Sequence, residues 1–208
     1  MKTRVSVFAF LIISIILVAC GGRRKEDALM TNVTGKLGEI VIVIEKKYWQ
    51  DSIGGYFETT LAEEHPALPQ SEPMFNLVNI PHKAFTDIFK THRNVIFIHI
   101  NPSIEEPKMV FKKNVWSKPQ LFIEMYASSK NTFLPLLNEN IEKIAYFFRK
   151  GERERLQGSY KKFEEQSIRT YLESNHNISL YAPSGYNLEE TAINDTFVWI
   201  AHETPEIS

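Results

Sequence analysis

The polar segment His92-Arg93-Asn94 carries side chains that suit anion binding. It lies between a predicted short helix and a predicted strand, where polar groups come together at the rim of a sheet. Arg93 can bind a carboxylate or a phosphate through two parallel hydrogen bonds. The competing and favoured interpretation is structural, because polar and basic groups at the end of a helix commonly cap its free carbonyls. His92, Arg93 and Asn94 are therefore candidate ligand-binding residues with a structural alternative.

A second candidate segment, residues 116–120, joins two predicted strands. Trp116, Lys118 and Gln120 offer an indole, an ammonium and an amide, which could line a groove for a sugar or a peptide. A tryptophan packed under a turn is the favoured alternative. If this segment meets residues 91–94 at one edge of the sheet, Arg93 and Lys118 form an anion-attracting rim that suits an acidic sugar or a peptide carboxylate.

The only cysteine, Cys20, ends the segment Leu17-Val18-Ala19-Cys20, which resembles the bacterial lipobox. Lys2 and Arg4 precede an apolar run of 14 residues. A helix of that length spans about 21 Å, short of the roughly 30 Å hydrocarbon core of a bilayer. We therefore predict a cleaved signal peptide over residues 1–19 and a lipid on the Cys20 sulfur, which anchors the protein in the bacterial outer membrane, facing the periplasm or the cell surface. The alternative is an ordinary signal peptide with an incidental cysteine.

Composition and motif content argue against several classes of chemistry. A single cysteine allows no intramolecular disulfide, cysteine-ligated zinc or iron–sulfur cluster. The six histidines form no HxH or HxxxH pair, and no P-loop, GxGxxG, GxSxG or HExxH pattern occurs, so we expect neither a metal nor a cofactor. Loss of Lys2 and Arg4 with the signal peptide reduces the 24 basic residues to 22 against 25 acidic ones. This balance does not favour nucleic-acid binding.

The chain between residues 38 and 174 has the pattern of an α/β domain. Apolar, mostly β-branched runs predict strands at residues 39–44, 74–80, 94–100, 109–115 and 121–126. Apolar residues at helical spacing predict a helix over about residues 46–62 and a short helix from Pro81. A third helix is predicted from its apolar stripe, Phe133, Leu137, Ile141, Ile144 and Phe148. This order predicts a mixed β-sheet with helices packed on it, with an α+β arrangement as the alternative.

The sequence also predicts where the domain begins and ends. Residues 20–37 are polar and are interpreted as a lipidated tether. A single helix over residues 130–174 would be about 68 Å long, so we expect Gly151 or Gly158 to break or kink it. Residues 175–208 change to short strands and turns, and are expected to begin a second, truncated domain or to add strands to the first sheet.

Several motifs together resemble one family of envelope lipoproteins of unknown role, the domain of unknown function 4837 family. The quoted segments are residues 35–40, 68–73, 92–94, 116–120, 197–199 and 203–208. Members of that family are usually longer, which implies that this chain stops inside a second domain. The resemblance implies an envelope location and transfers no site residue.

These observations favour a lipid-anchored envelope protein that acts as a non-enzymatic binding or assembly module. Its expected partners are the membrane, through the Cys20 lipid, and an envelope protein or a glycan. The alternative is an envelope hydrolase acting on glycan or cell-wall material, which needs a nucleophile or two carboxylates about 5 to 9 Å apart. Glu72, Glu105 and Glu106 are acids in predicted loops, but no pattern assigns them that role.

Overall fold

The structure is a computed structural model that describes residues 30–65, 68–189 and 197–202. The predicted signal peptide over residues 1–19 and the predicted lipid attachment at Cys20 lie outside the described residues. Both stay predictions.

The strands form one central sheet and two small strand pairs. They are β1 Thr31–Asn32, β2 Glu39–Val43, β3 Asn76–Ile80, β4 Asn94–Ile100, β5 Lys108–Lys113, β6 Ser117–Lys118, β7 Leu121–Ala127, β8 Asn187–Leu188 and β9 Ile200–Ala201. The central sheet has the order β3-β2-β4-β7-β5, in which β2, β3, β4 and β7 are parallel and β5 is antiparallel to β7. β1 pairs in parallel with β6, so the chain is attached to the fold from Thr31 onward.

The helices lie on both faces of the central sheet. They are α1 Lys46–Trp49, α2 Ser52–Leu61, a 3₁₀ helix His82–Ala84, α3 Asp87–Lys90, α4 Lys130–Lys162 and α5 Gln166–His176. α1, α2 and α4 pack on one face, whereas the 3₁₀ helix and α3 place Phe85 and Phe89 against the other. The chain therefore winds from β2 to β3 over one face and from β3 to β4 over the other. This mixed sheet with helices packed on it confirms the predicted α/β class.

The central strands are apolar on both faces because both faces are covered. Alternate residues of β2 and β4, such as Ile42 and Ile96, enter the larger core beneath α2 and α4. Their neighbours Val41 and Val95 enter a smaller cluster beneath the 3₁₀ helix and α3. Unbroken runs of β-branched residues are typical of such doubly covered strands, and this is why the sequence identified them.

α4 is continuous through both glycines, so the predicted break at Gly151 or Gly158 is wrong. The helix begins at a capping box, in which Ser129 and Thr132 satisfy each other's backbone amides, and runs for 33 residues, about 50 Å. A glycine costs a helix only about 1 kcal/mol relative to alanine, which the packing of a long helix easily offsets. The chain does turn before residue 174, at Phe163, where α4 ends.

Helix α5 and the β8–β9 hairpin form a small unit with its own apolar cluster. Ile168 and Leu172 of α5 are buried together with Ala182, and Leu188 and Ile200 of the hairpin pack against them. β8 pairs with β9 and not with the central sheet. In the ranges that the structure describes, no helix combines the length and apolarity needed to cross a membrane.

Candidate functional site

The two candidate segments lie next to each other where the parallel strands of the central sheet begin. We call this end of the sheet, formed by the amino-terminal ends of those strands, the amino edge. β4 begins at Asn94 and β7 begins at Leu121, and these two residues are register partners. The backbone amide of Leu121 donates to the carbonyl of Arg93 at 2.9 Å. Residues 91–94 and 116–120 therefore converge, as the sequence hypothesis required.

Two of the six candidates have internal structural roles. His92 is 6% exposed, and its Nε2 lies 2.5 Å from Glu39 Oε1 while its Nδ1 lies 3.2 Å from the Asn94 carbonyl oxygen. Gln120 is fully buried, and its Nε2 donates to the carbonyls of Lys90 at 2.6 Å and His92 at 2.7 Å. These bonds hold the end of α3 to the start of β7, and they leave little polar capacity for a ligand.

Arg93 and Asn94 belong to a network with α4. Arg93 Nη1 donates to Glu152 Oε2 at 3.0 Å, and Arg155 Nη2 donates to Glu152 Oε1 at 2.8 Å. Asn94 is fully buried and bridges the same pair, because its Nδ2 donates to Glu152 at 2.7 Å and its Oδ1 accepts from Arg155 at 2.6 Å. A single carboxylate thus serves two guanidinium groups, which leaves one positive charge in excess.

Trp116 lies on the other face of the sheet from Arg93. Its ring contacts Phe122 edge-on at 5.0 Å and Phe85 at 5.5 Å, and both are part of the cluster under α3. It is 37% exposed. The structure therefore brings Arg93, Lys118 and Gln120 together in one concave surface but places the indole elsewhere.

That concave surface is a groove of about 680 Å³ between the amino edge of the sheet and α4. We call it the basic groove, after its basic lining residues Arg93, Lys113, Lys118, Arg155 and Lys162. One acid, Glu154, shares the lining, and Glu152 pairs with the two arginines. Five positive charges meet two negative ones, an excess of three. Lys118 and Lys162 are exposed, and among the described residues neither makes an ion pair.

The α4 side of the groove is one stripe of that helix. It consists of residues 151, 154, 155, 158, 159 and 162, which recur at intervals of three and four. Gly151 and Gly158 have no side chains, so they add no bulk to this side of the groove. A Cβ on Gly151 would lie 2.1 Å from Leu121 Cδ1, so this glycine lets α4 approach β7, while a Cβ on Gly158 would meet nothing within 4 Å.

Sequence reasoning missed Lys113, Arg155 and Lys162, which come from β5 and α4. A usable signal was present on α4, since Arg155 and Lys162 are seven residues apart, as are Gly151 and Gly158. Seven residues are close to two helical turns, so basic side chains and glycines at that interval lie on the same side.

A second groove, of about 500 Å³, lies beside the basic groove. We call it the apolar groove because most of its exposed surface is apolar, although it is also lined by Lys113, Glu142, Lys143, Lys150 and Glu154. Its aromatic lining residues are Phe111, Tyr146 and Phe147, and the Phe111 and Phe147 rings meet edge-on at 4.9 Å. The lining residues that the two grooves share are Lys113, Leu121, Gly151 and Glu154. Phe111 is 39% and Tyr146 is 55% exposed. The two grooves thus form one surface with an apolar end and a basic end.

A titratable cluster occupies the other face of the sheet. The rings of His99 and Tyr126 stack at 4.7 Å, and His99 Nε2 lies 3.8 Å from Glu124 Oε1. Burial lowers the pKa of His99 and raises the pKa of Tyr126. Burial acts to raise the pKa of Glu124, but the bond from Lys112 holds it below its usual value. In the described ranges, no three histidine, cysteine or acidic side chains are placed to hold a metal ion.

Comparison with known proteins identifies one family. The sequence matches the family described as Domain of unknown function (DUF8532) over residues 33–161, which contain the central sheet and most of the groove lining. The resemblance to the domain of unknown function 4837 family is therefore wrong, and the expectation of a truncated second domain loses that support. No curated protein and no solved structure matches the chain.

Proposed function

We propose that this chain, which belongs to the DUF8532 family, is a lipid-anchored envelope protein that binds an anionic ligand in the basic groove. The observation that carries the proposal is the excess of three positive charges in a concave surface of about 680 Å³. A cleft lined by one sign of charge concentrates the field and raises the local concentration of ions of opposite sign. The groove volume is within the range of small-ligand sites.

The two arginines provide a rigid part of the site. Arg93 and Arg155 are held against Glu152, with side chains 18% and 9% exposed. Within the described part of the chain, Arg93 makes one side-chain hydrogen bond, so most of its five N–H donors are unused. A fixed guanidinium suits a carboxylate or a phosphate better than a mobile ammonium does. The exposed ammonium groups of Lys118 and Lys162 add long-range attraction.

The exposure of Glu105 and Glu106 favours a binding role over hydrolysis. Glu105 and Glu106 line a shallow cavity of about 400 Å³ with Lys108 and Tyr126. Both carboxylates are exposed, whereas the acid of a glycosidase is sheltered from water. We therefore favour a non-enzymatic module, held at the outer membrane through Cys20, over an envelope hydrolase.

The binding half of the proposal is tested by charge reversal. Lys118→Glu with Lys162→Glu is compared with Lys46→Glu and Lys83→Glu, two exposed lysines at the opposite edge of the sheet. An ammonium about 8 Å from an anion in water contributes about 0.5 kcal/mol. Reversal doubles that effect, so the two changes cost about 2 kcal/mol, roughly 30-fold in affinity at low ionic strength.

The assay is calorimetric titration with trigalacturonate and with hexaglutamate, an acidic sugar and an acidic peptide. We expect at least one probe to bind the natural protein and the control pair equally, and the groove pair much more weakly. Equal binding by the two double variants would refute the basic groove as an anion site, and so would failure of the natural protein to bind either probe or any phosphate-bearing ligand.

The anchoring half is tested by Cys20→Ser. Without the sulfur, no lipid can be attached, so the protein should leave the membrane fraction or accumulate with its leader uncleaved. Normal leader removal together with unchanged membrane attachment would contradict the lipid anchor.

A further inference from the structure

We infer that the ligand is an anionic membrane lipid, with its phosphate in the basic groove and one acyl chain in the apolar groove. This inference rests on the proposed function and specifies its ligand. The occupant is a lipid of the membrane that carries the protein.

Continuity of the two grooves supports an amphipathic ligand. They share Lys113, Leu121 and Gly151, so the apolar end and the basic end adjoin on one stretch of surface. On α4, the lining residues extend from Glu142 at the apolar end to Lys162 at the basic end, about 30 Å along the helix. A small soluble anion would use only the basic end and would leave Tyr146 and Phe147 uncovered.

Charge complementarity specifies the head group. The basic end has an excess of three positive charges. Two of its basic side chains are arginines, whose N–H donors suit a phosphate. Basic side chains close to a membrane are attracted to anionic lipids and not to zwitterionic ones. Phosphatidylglycerol therefore fits the groove, whereas phosphatidylcholine does not.

The position of the chain places the groove near the head groups. Asn32 and Val33 form part of the groove lining. The predicted lipidated residue, Cys20, is twelve residues before Asn32, and twelve residues span at most about 40 Å. Anchoring on this side of the fold keeps the basic groove close to the membrane surface, where lipid is at high effective concentration.

The test is native mass spectrometry of the full-length lipidated protein in detergent micelles. Phosphatidylglycerol, phosphatidylcholine and glycerol 3-phosphate are added in separate titrations. We expect the phosphatidylglycerol complex to form at concentrations at least about tenfold lower than either of the others requires. Lys118→Glu with Lys162→Glu should bring phosphatidylglycerol to the level of phosphatidylcholine, and Lys46→Glu with Lys83→Glu should not.

Two further variants separate the acyl chain from the head group. Tyr146→Asp places a charge in the apolar groove, so it should weaken phosphatidylglycerol binding and leave glycerol 3-phosphate binding unchanged. Gly158→Leu places a side chain in open space in the basic groove and should weaken both, while Gly55→Leu, at a position equally open on α2, should weaken neither.

The outcomes distinguish the two proposals. Equal affinity for phosphatidylglycerol and glycerol 3-phosphate overturns the lipid and keeps the anion site. Equal affinity for the two phospholipids, insensitive to the lysine reversals, also overturns the lipid inference. Binding of trigalacturonate or hexaglutamate without any lipid complex overturns the inference and keeps the proposed function, and binding of none of these overturns both.

Discussion

Gly151 and Gly158 should respond to the same substitution with opposite signs. Alanine at position 158 meets nothing within 4 Å, so Gly158→Ala should stabilise the protein by the helix-propensity difference, about 1 kcal/mol. Alanine at position 151 gains the same propensity but places a Cβ 2.1 Å from Leu121 Cδ1 and 3.1 Å from Leu121 Cγ. Leu121 is 4% exposed and belongs to the larger core, so moving it away from the new Cβ loses core contacts. Overpacking of this kind costs about 1 to 3 kcal/mol, which leaves Gly151→Ala destabilised by up to about 2 kcal/mol.

Urea unfolding measures both free energies, and the double variant Gly151→Ala with Leu121→Ala checks the cause. Removing the leucine methyl groups makes room for the new Cβ, so the double variant should be more stable than the sum of the two single effects, by about 1 kcal/mol or more. If Gly151→Ala stabilised the protein as much as Gly158→Ala does, the close approach of α4 to β7 would be refuted.

Three other predictions follow from the ion pairs, the titratable cluster and the small unit. Glu152→Gln should lower the free energy of unfolding by about 3 kcal/mol, because it leaves two largely buried guanidinium groups without their carboxylate. Glu154→Gln should lower it by less than about 1 kcal/mol, because the two lysines that pair with Glu154, with N–O distances of 3.7 and 3.9 Å, are exposed. Similar losses for the two variants in urea unfolding would contradict the network. Burial lowers the pKa of His99, so His99 takes up a proton at a higher pH in the unfolded chain than in the folded one, and stability should fall as the pH drops below about 6.5. His99→Gln should flatten that part of the pH–stability curve. An unchanged slope would show that His99 does not cause this loss of stability. Amides of β8 and β9 should exchange faster than those of β2 and β4, because a two-residue strand pair opens locally; slower exchange in the hairpin would show that it is integrated in the main core.

The sequence identified the central sheet because its signals are local. A run such as residues 39–44 is apolar on both faces, and this pattern is independent of the partner strands. The stripe from Phe133 to Phe148 likewise required only helical periodicity, and Phe133, Leu137, Ile144 and Phe148 are all buried. The sequence also allowed the prediction that residues 91–94 and 116–120 lie close together, because each segment leads into a predicted strand and the two strands can start at the same end of the sheet.

The basic groove could not be predicted from the sequence in the same way. Lys113 and Arg155 are brought together by the packing of α4 on β5 and β7, which no local pattern reports. The glycines were misread because a break was inferred from the length that a single helix over residues 130–174 would have. The chain turns at Phe163 instead, and at Gly151 the absence of a Cβ is what allows close packing. Trp116 was grouped with Lys118 and Gln120 on sequence grounds, but its ring packs on Phe85 and Phe122, on the opposite face of the sheet from Arg93.

If the lipid anchor proposed at Cys20 is present, the pairing of β1 with β6 gives the chain a defined response to mechanical tension. A pull from the amino-terminal side reaches the β1–β6 pair and the backbone bonds of Thr34 to Thr91 and Arg93, at 2.9 and 3.0 Å, before it reaches β2. Detachment of residues 31–38 would lengthen the connection by up to about 28 Å while the central sheet stayed folded. Because Asn32 and Val33 line the basic groove, the same detachment would open one of its walls, so tension on the proposed anchor and occupancy of the groove would oppose each other.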